Sequence, residues 1–309
     1  MTQRPTYVIA GGSGLIGQAL SRHWLGVGAR VVVLTRHRDA KLPAGAEAVQ
    51  WDGVNAGPWH QCIDGARALI NLCGEGIGAQ RWTDARKRLL LDSRTVPTAA
   101  LVAAIRAAAV RPALIQASGV GIYGTSDASV FTESSPAGHD FLARLAQLWE
   151  DASAPADAYT RRVVARIGVV LDREAGAFPK LLLPFRLGVG GPIADGRQWL
   201  SWIHLTDLVE AIAWLADNGS MSGAINCVAP QSVRNADAAR VIGRIAHRPA
   251  FVPTPRFALN LLLGEMATLV CDGQRVAPVR LLESGFRFRY TTFEAAASAL
   301  LKSTLEENS

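Results

Sequence analysis

The chemistry most legible in this chain lies in the segment Tyr7-Val-Ile-Ala-Gly-Gly-Ser-Gly-Leu-Ile-Gly17. Glycines at 11, 14 and 17 follow a short apolar run and precede a longer amphipathic one. Each has a separate task in a site that cradles a dinucleotide. One permits the turn, the next lets the backbone approach a pyrophosphate, and the third lets helix and strand pack closely. The helix opening there offers free N–H groups and a positive dipole end to phosphates. The pattern assigns cofactor contacts to Gly11, Gly12, Ser13, Gly14, Leu15, Ile16 and Gly17. A glycine turn without a ligand is the alternative, and the strand–turn–helix context argues against it.

A second position decides which cofactor fits. After the next apolar run the chain reads Leu34-Thr35-Arg36-His37-Arg38, with no carboxylate until Asp39. A carboxylate here would hydrogen-bond a ribose hydroxyl and repel a 2′-phosphate, whereas Arg pairs with that phosphate. Thr35 and Arg36 therefore point to NADP(H) over NAD(H). Loop decoration is the alternative for Arg36 and Arg38. Asp52 either accepts from the adenine amino group or caps a turn.

The elements that must carry these groups alternate. Strands are expected at 7–10, 31–35, 48–51, 68–73, 113–117 and 162–171, and helices at 14–26, 83–109 and 141–152. Strands alternating with helices imply βαβ units and a parallel sheet. After residue 171 a Gly- and Pro-rich stretch weakens the pattern, with further helices at 206–218, 234–245, 256–268 and 296–305. The expectation is an α/β fold, a Rossmann-type doubly wound parallel sheet with a smaller α+β C-terminal substrate domain. The cofactor domain spans 1–171 and the smaller one 172–309, with 206–228 packing back onto the first.

The chain has 309 residues, 49% hydrophobic and 19% charged, which excludes a disordered protein. The formal charge of +6 is carried almost wholly by arginine, since only Lys41, Lys87, Lys180 and Lys302 are lysines. The arginines are scattered without a basic run, which argues against a nucleic-acid partner. Apolar stretches such as 259–270 are too short and too interrupted to span a membrane. Cys62, Cys73, Cys227 and Cys271 show no paired spacing, which fits a reducing, cytoplasmic compartment. No His/Cys or acidic spacing suggests a metal. The partner expected is a small-molecule substrate, with a homodimer left open.

The segments at 11–17, 34–36, 71–75, 81–82, 92–94, 118–124, 166–171, 183–192, 196–198, 202–204, 207 and 273–275 resemble the extended short-chain dehydrogenase/reductase superfamily. Within it they look like an atypical epimerase-like branch, sometimes labelled nucleoside-diphosphate-sugar epimerase or cell-division-inhibitor-like. The resemblance implies that Leu72, Cys73 and Gly74 line the nicotinamide ribose. It further implies that Arg94 reaches the cofactor, and that Ile167, Gly168 and Val169 border the nicotinamide. Ser118 matches the position whose hydroxyl orients the substrate oxygen.

The resemblance fails at the usual Tyr-x-x-x-Lys pair. On the helix at 141–152 those positions hold Leu142 and Ala146, or Phe141 and Leu145 one residue away. Neither register supplies an acid. Tyr123 is the nearest phenol, and is weighed as a substitute acid against a packing or substrate contact. Glu75, Arg81 and Trp82 form a polar group that faces the substrate or closes a salt-bridged loop. Arg186, Arg197, Trp202 and His204 match the region where extended relatives bind a substrate nucleotide, a structural role being the alternative for His204. The resulting expectation is an NADP(H)-binding oxidoreductase or epimerase-like enzyme acting on a small carbonyl or hydroxyl compound, with nucleotide-linked substrates included. The alternative is a catalytically weak or inactive NADPH-sensing regulatory protein.

Overall fold

The computed structural model describes residues 4–37 and 39–306, so Arg38 lies outside the described residues. Seven strands form the central sheet: β1 (Thr6–Ala10), β2 (Arg30–Thr35), β3 (Glu47–Gln50), β4 (Ala68–Asn71), β5 (Ala113–Gly119), β6 (Arg162–Ile167) and β7 (Gly223–Cys227). Their spatial order is β7-β6-β5-β4-β1-β2-β3, and every neighbouring pair is parallel. The chain runs outward from β1 through β2 and β3, then returns to β4 on the other side of β1. That reversal opens a crevice at the carboxyl ends of β1 and β4, the usual ligand position in such sheets.

Helices cover both faces, so the central strands are apolar in continuous runs instead of alternating. Val8, Ile9, Val31, Val32, Val33, Leu69 and Ile70 are fully buried. Helices α1 (Leu15–Gly26) and α5 (Leu205–Asp217) pack on one face through Leu20, Trp24, Leu208 and Ile212. On the other, α2 (Asp84–Ala107) contributes Leu101 and Ile105 beside Trp51 and Trp59. Helix α3 (Phe141–Ser153) lies next to α2 on that face. Thr83 and Asp140 cap α2 and α3, accepting from the N–H groups of Arg86 and Ala143 and so satisfying helix donors that lack partners.

The strand expected across 162–171 is broken. β6 ends at Ile167, and after Gly168 a separate strand, Val169–Leu171, pairs with Trp202–His204. Gly168 makes the break because its backbone crosses that of Ser201. A Cβ there would lie 2.8 Å from the Ser201 carbonyl oxygen and from Val228 Cγ1. Beyond the break a smaller lobe has its own core of Leu171, Phe178, Leu182, Phe185, Trp202, Ile242 and Phe293. Its helices include α4 (Phe178–Arg186), α6 (Asn235–Ile245), α7 (Arg256–Leu263) and the C-terminal Phe293–Glu306. The helix expected at 256–268 stops at Leu263, because Gly264 adopts φ +60° and leaves the helical region.

Gly168→Ala forces the backbone crossing apart. It should lower unfolding stability by about 1–3 kcal/mol, read as a shift in the urea midpoint at constant slope.

Candidate cofactor cleft and active site

The glycine loop closes the crevice from below. Gly11 has φ +79°, and a Cβ on it would stand 2.8 Å from the carbonyl of Leu72, so the turn after β1 lies directly against the chain leaving β4. Gly17 presses on the loop itself, where a Cβ would come within 2.4 Å of Gly12 Cα. Gly12 is packed on Val33, at 2.6 Å by the same measure. Gly14 differs. It begins α1 in an extended conformation, is exposed with Ser13, and a side chain there would meet nothing nearer than Gly11 O at 3.5 Å. Leu15 and Ile16 follow half-buried, and the first turn of α1 carries no acid. The open approach is therefore at the helix start.

At the end of β2, Thr35 is buried and Arg36 projects into solvent. Its guanidinium comes within 4.0 Å of Glu75, which stands on the loop after β4. Asp52 closes a turn. Oδ1 accepts from the N–H groups of Val54 and Asn55, and Oδ2 from the Asn55 side chain. Those bonds, the Asn55 N–H first, hold its carboxyl below the usual range.

Leu72, Cys73 and Gly74 continue from β4 beneath α2. Burial pushes the Cys73 thiol up to about 12. Arg94 lies behind Gly74, donating from Nη1 to Leu90 O at 2.9 Å and from Nη2 to Glu75 O at 3.0 Å. Its guanidinium sits 5.0 Å over the Trp149 ring. Burial, then the charge of Arg86, lowers its pKa to about 10, so it remains a cation at neutral pH. Ile167, Gly168 and Val169 form the strand break at the opposite wall.

A polar seam runs along the α3 face of the sheet, joining Ser118 and Tyr123 to Asn71, Gln116, Glu150, Arg166 and Asn226, to which sequence reasoning gave no role. Asn71 is fully buried and donates to Thr98 Oγ1 and Gln116 Oε1, each at 2.8 Å. Two residues further along β5, Ser118 stands level with Arg166 on β6, and Arg166 with Asn226 on β7. Ser118 donates to Glu150 Oε1 at 2.7 Å. Arg166 grips both oxygens of Glu150, at 2.9 and 2.8 Å. It also donates to the Tyr123 hydroxyl at 3.0 Å, and that hydroxyl donates to Asn226 Oδ1 at 2.7 Å. Burial would lower the Arg166 pKa, but the hydrogen bonds and charge of Glu150 outweigh it and raise it. Burial likewise raises the Tyr123 pKa, and Arg166 offsets only part of that. Tyr123 is therefore a neutral, enclosed phenol stacked on Phe131. An Arg and an Asn inside otherwise apolar strands are the sequence signal for this seam.

Leu142 and Ala146 bring no polar group to α3. The Leu142 Cβ lies 3.3 Å from where a Cβ on Gly121 would stand, and Ala146 is buried. Glu75, Arg81 and Trp82 share the loop before α2. Trp82 donates to Ile77 O at 2.9 Å and meets Phe141 edge-on. Arg81 is exposed and reaches toward Gly264 in the smaller lobe.

Two of the expected substrate contacts are corrected. Trp202 is fully buried against Phe293, and its indole N–H goes to Gln231 O at 2.8 Å, so it belongs to the smaller core. His204 caps α5, its Nδ1 accepting from Thr206 N at 3.1 Å while the ring lies on Tyr290. Arg186 and Arg197 are exposed, on α4 and on the loop before Trp199.

A parallel sheet with a glycine cradle at its switch point defines a Rossmann-type nucleotide-binding protein. The chain belongs to the epimerase family. Residues 7–144 match the model described as the NAD dependent epimerase/dehydratase family, and residues 254–300 match a domain of unknown function, DUF1731. It is 40% identical over 296 residues to epimerase family protein YfhF of Bacillus subtilis, covering 95% of this chain and 97% of that one. It is 37% identical over 303 residues to the chloroplastic SDR39U1 homolog of Arabidopsis thaliana, covering 96% and 87%. The crystal structure of human epimerase family protein SDR39U1 with NADPH is similar at 34% identity and TM-score 0.87, covering 96% of this chain and 99% of that one.

Burial lowers the His204 pKa to about 4, well below an unfolded histidine near 6.5. The unfolded state therefore binds the proton first, and stability present above pH 6.5 is lost as pH falls toward 4. His204→Asn keeps a capping acceptor without the titration. Between pH 7 and 5 it should lose about 1–2 kcal/mol less than the parent in urea unfolding.

Proposed function

We propose that this chain is an NADP(H)-binding oxidoreductase or epimerase-like enzyme working in the cytoplasm on a small carbonyl or hydroxyl compound, nucleotide-linked ones included. The observation that carries the reading is Arg36, an exposed cation at the end of β2, beside a glycine cradle left open at Gly14. The NADPH in the human relative's structure supports it. In this reading Ser13 to Gly17 hold the pyrophosphate and Arg36 the 2′-phosphate. Leu72 to Gly74, Arg94 and 167–169 border the nicotinamide end, and a bound nicotinamide supplies hydride exchange. Ser118 holds the substrate oxygen. Its proton is committed to Glu150, so it offers lone pairs to the cleft unless the hydroxyl turns. Glu75, Arg81 and Trp82 edge the substrate space, with Arg186 and Arg197 further out on the smaller lobe.

The seam supports a second reading. Leu142 and Ala146 cannot move a proton, and the Tyr123 hydroxyl is already engaged by Arg166 and Asn226. A protein that binds NADPH and signals its presence to a partner needs no acid there.

Isothermal titration should show NADPH binding about tenfold or more tighter than NADH, the worth of one charge-assisted pair of about 1.5–3 kcal/mol. Arg36→Ala should erase most of that gap, and equal affinities in the parent would refute the cofactor assignment. A turnover screen with NADPH against carbonyl compounds and sugar nucleotides then separates the two readings. Slow turnover supports the enzyme, and none across the panel supports the sensor. If turnover is found, Tyr123→Phe should lower kcat where Tyr123 is the acid. An unchanged kcat assigns it to packing.

A further inference from the structure

The Glu75 carboxylate faces two guanidiniums at the mouth of the cleft, and a third holds its main chain. Arg36 approaches Oε1 at 4.0 Å, and Arg86 Nη1 approaches Oε2 at 3.5 Å. Arg94 holds the Glu75 carbonyl at 3.0 Å. The main chain of Glu75 is pinned on both sides, because its N–H also donates to Ser93 Oγ at 3.1 Å. Its two carboxylate oxygens are shared between partners, and the partners are unequal. Arg36 is 69% exposed and stands across the glycine loop, on the far side of β1. Arg86 is 7% exposed and already tied to Gly76 O at 2.8 Å. Its Nε is buried without a hydrogen-bond partner, a costly state for a charged donor.

We infer that Glu75 is a specificity-determining residue, the counter-ion that Arg36 gives up to a cofactor 2′-phosphate while its other oxygen stays on Arg86. The inference rests on the NADP(H) reading above and adds a residue to it. A cofactor crossing from β2 toward β4 passes between Arg36 and Glu75. A 2′-phosphate brings close to two negative charges to Arg36 and outcompetes one distant carboxylate. A ribose hydroxyl brings none, so NADH leaves the Arg36–Glu75 pair in place. Once released from Arg36, Glu75 tightens onto Arg86, which it already meets at 3.5 Å, and that shift changes the field at the buried Arg86 Nε–H. The tightening offsets part of the cost of separating Arg36 from Glu75, and only a cofactor with a 2′-phosphate triggers it.

Isothermal titration with NADPH and NADH on the parent, Glu75→Gln, Arg36→Ala and the double variant tests this. Glu75→Gln, close in shape to the parent side chain, should tighten NADPH by about two- to fivefold, the range of an exposed ion pair. NADH should change less. In the Arg36→Ala background the same substitution should leave the NADPH/NADH ratio unchanged, because the partner is gone. A second readout is the Arg86 Nε–H resonance in a 15N spectrum, assigned by its loss in Arg86→Lys. NADPH should move it downfield and NADH should not. Equal effects of Glu75→Gln on both cofactors, or an Arg86 signal indifferent to NADPH, would overturn the hand-off while leaving the cofactor reading intact. A parent that binds no NADPH removes the cofactor reading, and the inference with it.

Discussion

Three backbone approaches, each closer than any side chain permits, set the geometry from which the rest follows. Gly11 against Leu72, Gly17 against Gly12 and Gly168 against Ser201 bring main chain to main chain at the carboxyl end of the sheet. The first fixes the crevice between β1 and β4, and the second sets α1 down on the loop that precedes it. The third turns the chain out of the sheet into the smaller lobe. A Cβ at any of them would reach 2.8 Å or less from its neighbour, below the distances real side chains adopt. The crevice thus owes its form to steric exclusion at a few glycines, with hydrophobic burial supplying the surrounding stability.

Within that frame electrostatics divides the cleft in two. On the α3 side, Arg166 and Glu150 neutralise each other in a buried, bidentate pair that also satisfies Ser118 and Tyr123. Such a pair is a weak source of net stability but a strong constraint on geometry, since removing either partner strands a buried charge. On the glycine-loop side the charges do not cancel. Arg36 and Arg86 flank one carboxylate and Arg94 holds its main chain, leaving an excess that favours an anion. The half around Ser118 and Tyr123 is closed upon itself, and the half around the glycine loop has charge to spare.

Much of this was legible from residue types. The glycine spacing marked the loop because Gly11 and Gly17 answer steric demands within the chain, and Arg36 stood out because a carboxylate is the familiar occupant there. The alternation of strands and helices implied the parallel sheet, which the seven-stranded order bears out. Less visible were the contacts made between distant segments. Glu150 reads as an ordinary surface residue of a helix, and only folding places it between Ser118 and Arg166. Trp202 and His204 matched a substrate-binding region by sequence. Their neighbours Phe293, Gln231 and Thr206 commit them to a core and a cap instead. The break at Gly168 was hidden inside a run that reads as one strand, because a backbone crossing leaves no trace in apolar pattern.

The strand pair beyond Gly168 also joins the two lobes mechanically. Trp202–His204 runs without a linker into α5, whose first residue is Leu205, and α5 lies along α1 in the main core. The smaller lobe is thereby geared to the helix whose opposite partner is the glycine loop. Any rocking of that lobe would reach α1 through packed side chains from behind, along a route separate from the cleft mouth. A ligand wedged between the lobes and a nucleotide held at the head of α1 would then feel each other's presence without touching, as two loads on one lever.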